Sequence, residues 1–125
     1  MSPLYGVLGA LLLALGVGMG AFGAHALRGR LDAYSMGVWE KAVFYHLIHA
    51  LGLLIVFLLA RTGAIPGAAG NRVGFLLTAG ILLFSGSLYV LALTGMRVLG
   101  AVTPLGGVAF LAAWLLLCVD LFRGR

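Results

Sequence analysis

The chain has 125 residues, 63% of them apolar and only 9% charged, with a formal net charge of +5. A soluble domain carries roughly 25% charged residues, so eight basic and three acidic side chains are too few to solvate a water-soluble globule. Arg28, Arg30, Lys41, Arg61, Arg72, Arg97, Arg123 and Arg125 stand scattered at the ends of apolar stretches. That is how charges flank membrane helices, and it excludes the basic patch of a nucleic-acid binder.

The length is that of one domain, and the mean hydropathy is +1.18. Crossing the hydrocarbon core takes about 20 apolar residues in a helix. Residues 4–24, 38–60, 73–94 and 104–122 qualify. We therefore expect an all-α integral membrane protein: a four-helix bundle in which residues 1–125 form a single transmembrane domain.

The first stretch begins Met1-Ser2-Pro3-Leu4, without the basic residues that open a cleaved signal. Gly9, Gly16, Gly20 and Gly23 nearly make one stripe along it, and Gly16 with Gly20 forms a G-x-x-x-G pair. Lipid gives apolar helices no hydrophobic reason to associate, so small residues that let backbones approach do much of the work. We read the stripe first as packing within the bundle and second as a homo-oligomer interface.

Residues 25–37 mix Leu27, Leu31 and Tyr34 at helical spacing with Arg28, Arg30, Asp32 and Ser35, a pattern that predicts a short interfacial helix. The most unusual residues lie around it. His25 ends the first stretch, and Trp39, Glu40, Lys41, Tyr45, His46 and His49 open the second. At about 100° per residue, Trp39, Ala42, His46, His49 and Leu53 share one face, with Glu40 opposite beside Phe44 and Leu51. Ionisable groups at membrane depth are costly and invite a functional reading. Three readings stand open: neutral histidines hydrogen-bonding between helices, a proton-responsive or ligand-binding site, and metal or haem ligation. The last lacks cysteines and further carboxylates nearby, so no cofactor is expected.

Residues 61–72, with Pro66 and several glycines, read as a flexible loop. The third stretch places Gly80, Ser87 and Thr94 at steps of seven, with Ser85, Gly86 and Tyr89 beside them. Its hydroxyls suit bonds between helices, bonds back to their own helix, or a polar pocket shared with the histidines. Thr103-Pro104 predicts an N-cap followed by proline at the first helical position. The fourth stretch opens with Gly106-Gly107. It ends with Asp120 and Arg123 three apart, spaced to pair. The lone Cys118 reads as a small buried apolar side chain.

No nucleophile-base-acid triad, phosphate loop, metalloprotease pattern or paired carboxylate site appears, so we do not expect an enzyme. Both termini lie on one side of an even number of spans. Four basic residues on each side leave the positive-inside rule tied, and we place the termini in the cytoplasm.

Several blocks are similar to the YgdD family of small inner-membrane proteins of unknown function, to which transmembrane protein 256 is related. They are Gly20-Ala21-Phe22-Gly23-Ala24-His25-Ala26-Leu27; the set Trp39, Ala42, Tyr45, His49 and Ala50; Phe84-Ser85-Gly86-Ser87-Leu88-Tyr89 with Leu91-Ala92-Leu93-Thr94-Gly95; and Thr103-Pro104-Leu105-Gly106-Gly107 with Phe110 and Trp114. The resemblance runs in order along nearly the whole chain. It implies four membrane helices and a bacterial inner-membrane location, and it implies no established reaction. Its blocks coincide with the residues singled out above. We therefore expect His25, Trp39, Tyr45, His46, His49, Ser85, Ser87, Tyr89 and Thr103 to meet in one polar cluster near one membrane face. Gly16, Gly20, Gly23, Gly86, Gly106 and Gly107 are expected to serve packing. The function expected is that of a non-enzymatic accessory or structural component, with the lipid bilayer and a homo-oligomer or larger membrane complex as partners. The alternative is a small transporter, channel or lipophilic-ligand binder.

Overall fold

A computed structural model describes residues 1–124. The four apolar runs are the helical spans Leu4–Leu27, Ala33–Arg61, Gly67–Thr94 and Arg97–Arg123. They hold 24 to 29 residues each, and at about 1.5 Å per residue all are long enough for a hydrocarbon core of ~30 Å. Half of the third span's apolar window is buried and 39% of the second's, against 22% for the first and for the fourth. The second and third spans therefore form the centre, with the first packed on the second and the fourth on the third.

The second span begins earlier than its apolar content suggests. Asp32 caps it, its carboxylate accepting from the Ser35 backbone N–H at 2.7 Å. That bond holds the exposed Asp32 carboxyl below the usual carboxylate range, because a backbone donor favours the charged form. A good N-cap lets the helix start at Ala33. No separate interfacial helix occupies 25–37: His25 belongs to the end of the first span and Tyr34 to the start of the second. The turn between them uses Gly29 at φ +84°. The expected loop at 61–72 is likewise shorter, because the third span starts at Gly67 directly after Pro66.

Two π turns interrupt the spans. One covers Gly23–Leu27 and the other Ile81–Ser85, and each bonds across five residues, Arg28 N–H to the Gly23 carbonyl and Gly86 N–H to the Ile81 carbonyl. Both lie where a residue of the second span presses in. The Trp39 indole fills the space a Cβ on Gly23 would occupy, and Ser85 donates to the Ala42 carbonyl at 2.8 Å.

The glycine stripe packs within the bundle. Gly9 faces Leu54, Gly16 faces Leu47, Gly20 faces Val43 and Gly23 faces Trp39, all on the second span. Gly106 lies against the Phe84 backbone, and Gly80 against the Phe110 ring. Gly86 and Gly107, also expected in packing, are looser. A Cβ on Gly86 would meet only the Ile81 carbonyl at 4.0 Å, and one on Gly107 only the Phe84 ring, 3.8 Å away at its nearest.

Three local expectations are corrected. Cys118, expected to be buried, is exposed on the fourth span. Thr103 does not cap its helix with its side chain; its hydroxyl instead donates to the Leu99 carbonyl at 3.3 Å and lies 2.7 Å from the Ser87 hydroxyl. The helix already includes Thr103 as its first residue, which leaves Val102 at the cap position. Asp120 pairs not with Arg123 but with Arg72 of the third span, at 3.6 Å. Arg72 is largely exposed, so its side of the pair is screened by solvent, while the second oxygen of Asp120 is buried without a hydrogen-bond partner.

Candidate functional site

The face predicted on the second span is the buried one: Trp39, Ala42, His46, His49 and Leu53 are all at most 5% exposed, while Glu40 is exposed. What each side chain meets depends on which neighbour it faces.

Trp39 faces the first span and donates from Nε1 to the Met19 carbonyl at 3.0 Å. Its ring also lies 4.7 Å from that of Tyr89. About two turns further along, His46 sits between the first and third spans. Its Nδ1 lies 2.9 Å from the Tyr89 hydroxyl, and its Cδ2 edge is turned toward Gly16. A Cβ at Gly16 would meet Leu47 first, with the His46 ring edge at ordinary contact distance of 3.5 Å. Nε2 of His46 is buried without a hydrogen-bond partner.

His49 faces the other way, toward the fourth span. Its Nδ1 donates to the Tyr45 carbonyl at 2.7 Å. The ring stacks on Phe110 with centroids 3.4 Å apart and interplanar angle 10°. It also lies parallel to Tyr45 at 5.8 Å. A groove of about 430 Å³ opens beside it, walled by Tyr45, Phe84, Phe110 and Trp114. Two further grooves lie along the first span: about 540 Å³ against the third span and about 270 Å³ against the second. Exposed apolar side chains rim all three, such as Phe75, Phe44 and Leu111, so they open sideways to lipid.

The expected single cluster thus resolves into separate contacts. Trp39, His46 and Tyr89 form one connected group. Ser85, fully buried, bonds to Ala42, and Ser87 bonds to Thr103 and to the Phe84 carbonyl. Tyr45 and His49 form another group facing the fourth span. His25 joins none of them: it is exposed at the end of the first span. Among the described residues, no three or more His, Cys, Asp or Glu side chains come together as a metal site would require. The sequence reading did not place Phe84, Phe110 and Trp114 in a site. The available signal was Phe110 and Trp114 at a four-residue spacing on the last span, opposite Gly80 and Gly52 of its neighbours.

Four apolar helices packed around internally bonded polar residues define a polytopic membrane protein. The chain belongs to the family described as protein of unknown function DUF423, whose profile matches residues 19–107. It is 50% identical over 120 residues to a UPF0382 membrane protein of Staphylococcus haemolyticus, covering 96% of each chain. It is 51% identical over 113 residues to one of Staphylococcus epidermidis, covering 90% of each. With the UPF0382 membrane protein YwdK of Bacillus subtilis it shares 49% over 113 residues, 90% of this chain and 91% of that one. No solved structure matches the chain. The relatives carry membrane-protein names without a reaction, in keeping with a small membrane protein of unknown biochemical role.

Proposed function

We propose that the protein is a non-enzymatic accessory component of the bacterial inner membrane, a packed scaffold rather than a conduit. The observation that carries this reading is the use of the interior polar groups. Trp39, His49, Ser85, Ser87 and the His46–Tyr89 pair direct their hydrogen bonds at neighbouring helices or at their own backbone. A conduit turns such groups toward a water-filled path, and a catalytic site turns them toward a reacting group. Here the grooves that remain face lipid. The kinship with the YgdD proteins read from the sequence blocks belongs to the same proposal. So does a cytoplasmic location for both termini: Lys41 lies more than two turns inside the second span, which removes it from the tied loop count.

Flux measurements test the reading. Proteoliposomes holding the protein are expected to pass protons and potassium ions no faster than protein-free vesicles of the same lipid. Flux above that background, abolished by His46→Phe, would overturn the scaffold and favour the transporter reading.

A further inference from the structure

His49 lies ~24 Å along the helix from Ala33 and ~18 Å from Arg61 at 1.5 Å per residue, which places it near the middle of the membrane. Its Nδ1 must carry a proton, because its partner, the Tyr45 carbonyl, only accepts. In the neutral ring that fixes Nε2 as a lone-pair acceptor. Among the described residues no donor bonds to Nε2, yet the atom is not sealed inside the protein as Nε2 of His46 is. His49 lines the groove between the second and fourth spans. Surrounding lipid chains have no donor to offer it. The ring is also held rigidly, parallel to both Phe110 and Tyr45, so the acceptor has one direction.

The walls of the groove are aromatic. Phe84 lies 4.4 Å from Tyr45 and 5.6 Å from Phe110, and Trp114 lies 5.9 Å from His49. The volume of about 430 Å³ falls within the usual range for small-molecule sites, roughly 300–1,000 Å³. One oriented acceptor among flat apolar walls, open to hydrocarbon, selects a ligand by three properties: solubility in lipid, a planar ring and a hydrogen-bond donor. We propose that this groove binds a lipid-soluble aromatic alcohol, its ring against the Phe84, Phe110 and Trp114 walls and its hydroxyl donating to Nε2 of His49. The site goes beyond the scaffold reading and stands whether or not the scaffold has a protein partner.

The test uses the whole protein in lipid nanodiscs with nitrogen-15 in its histidines. Three probes are compared: 2-decylhydroquinone, its dimethyl ether and n-decanol. The hydroquinone is expected to shift the Nε2 resonance of His49, while the ether, which lacks a donor, and decanol, which lacks a ring, leave it in place. In His49→Phe, which keeps an aromatic ring against Phe110, hydroquinone affinity is expected to fall about tenfold, the equivalent of ~1.4 kcal/mol. His49→Gln, which retains an acceptor, is expected to recover part of it. Unchanged hydroquinone affinity in His49→Phe, or equal binding of the ether, would overturn the hydrogen bond. An equal shift with decanol would overturn the aromatic selection, and absence of any shift with the hydroquinone would overturn the site.

Discussion

Gly106→Ala is expected to destabilise the bundle by about 3 kcal/mol, the upper part of the range for overpacking a filled site, whereas Gly107→Ala is expected to be neutral or slightly stabilising. The two glycines are adjacent and helical, so propensity treats them alike and favours alanine by up to ~1 kcal/mol. Their surroundings set the opposite signs. A Cβ on Gly106 would clash with the backbone nitrogen of Phe84, with its Cα and Cβ only 2.8 and 2.7 Å away. Backbone cannot rotate aside as a side-chain tip can. Phe84 also lies within the Ile81–Ser85 π turn, whose path is fixed by the Ser85 bond to Ala42. A methyl group there therefore has to push the fourth span off the third. At Gly107 the nearest atoms are the edge of the Phe84 ring at 3.8 and 3.9 Å, ordinary contact. The midpoint of unfolding in an SDS titration from mild detergent measures both. Equal midpoints for the two variants would show that the spans do not meet at Gly106.

Trp39→Ala should produce a loss of similar size, about 3 kcal/mol. Large-to-small changes at buried aromatics cost roughly 3–5 kcal/mol in water. The lower end applies here because lipid removes the transfer part and leaves the lost packing. Trp39 is 1% exposed and sits at the junction of three spans, its ring tilted against that of Tyr89, hydrogen-bonded to Met19 and filling the hollow above Gly23. Trp39→Phe keeps most of the volume and removes the N–H donor, for an expected loss of about 1 kcal/mol. The same SDS titration separates the two. A Phe variant as unstable as the Ala variant would move the weight from packing to the hydrogen bond.

These two sites show what the sequence revealed and what it hid. The number of spans followed from apolar length alone, because the bilayer sets that length. The inward face of the second span followed from period, since Trp39, Ala42, His46, His49 and Leu53 recur at helical spacing and are the residues buried. Gly16, Gly20 and Gly23 were legible as a packing stripe, because helices that approach closely in lipid need small residues wherever they cross. The π turns were not legible. Nothing in Gly23–Leu27 or Ile81–Ser85 demands one; each accommodates a group on a different helix, Trp39 in one case and Ala42 in the other. Thr103 is not the cap because the helix extends one residue further than its Thr-Pro signal suggests, with Val102 at the cap position.

The site was half visible. Residue types marked the histidines, but sequence spacing could not show that His46 turns to Tyr89 of the third span while His49 turns to Phe110 of the fourth. His46 and His49 share a face that is broad enough to meet two neighbours. His25 appeared to belong with them by sequence proximity to the second span, yet it is exposed at the end of the first. By contrast, the start of the second span is legible in the sequence: Asp32, three residues before Ser35, is an N-cap in advance of the apolar run.

The account rests on a dry interior in which polar residues are directed at one another, and Ser85 is its most buried member at 0% exposure. Thiol accessibility tests this directly. In a Cys118→Ala background, a Ser85→Cys variant is treated in intact vesicles with a small water-soluble methanethiosulfonate, alongside Arg30→Cys and Ala64→Cys variants at the exposed first and second turns. The account predicts complete modification at the turn positions once both sides of the membrane are exposed to the reagent, and no modification at position 85. Rapid modification at position 85 would mean that water reaches the centre of the bundle, and would contradict it.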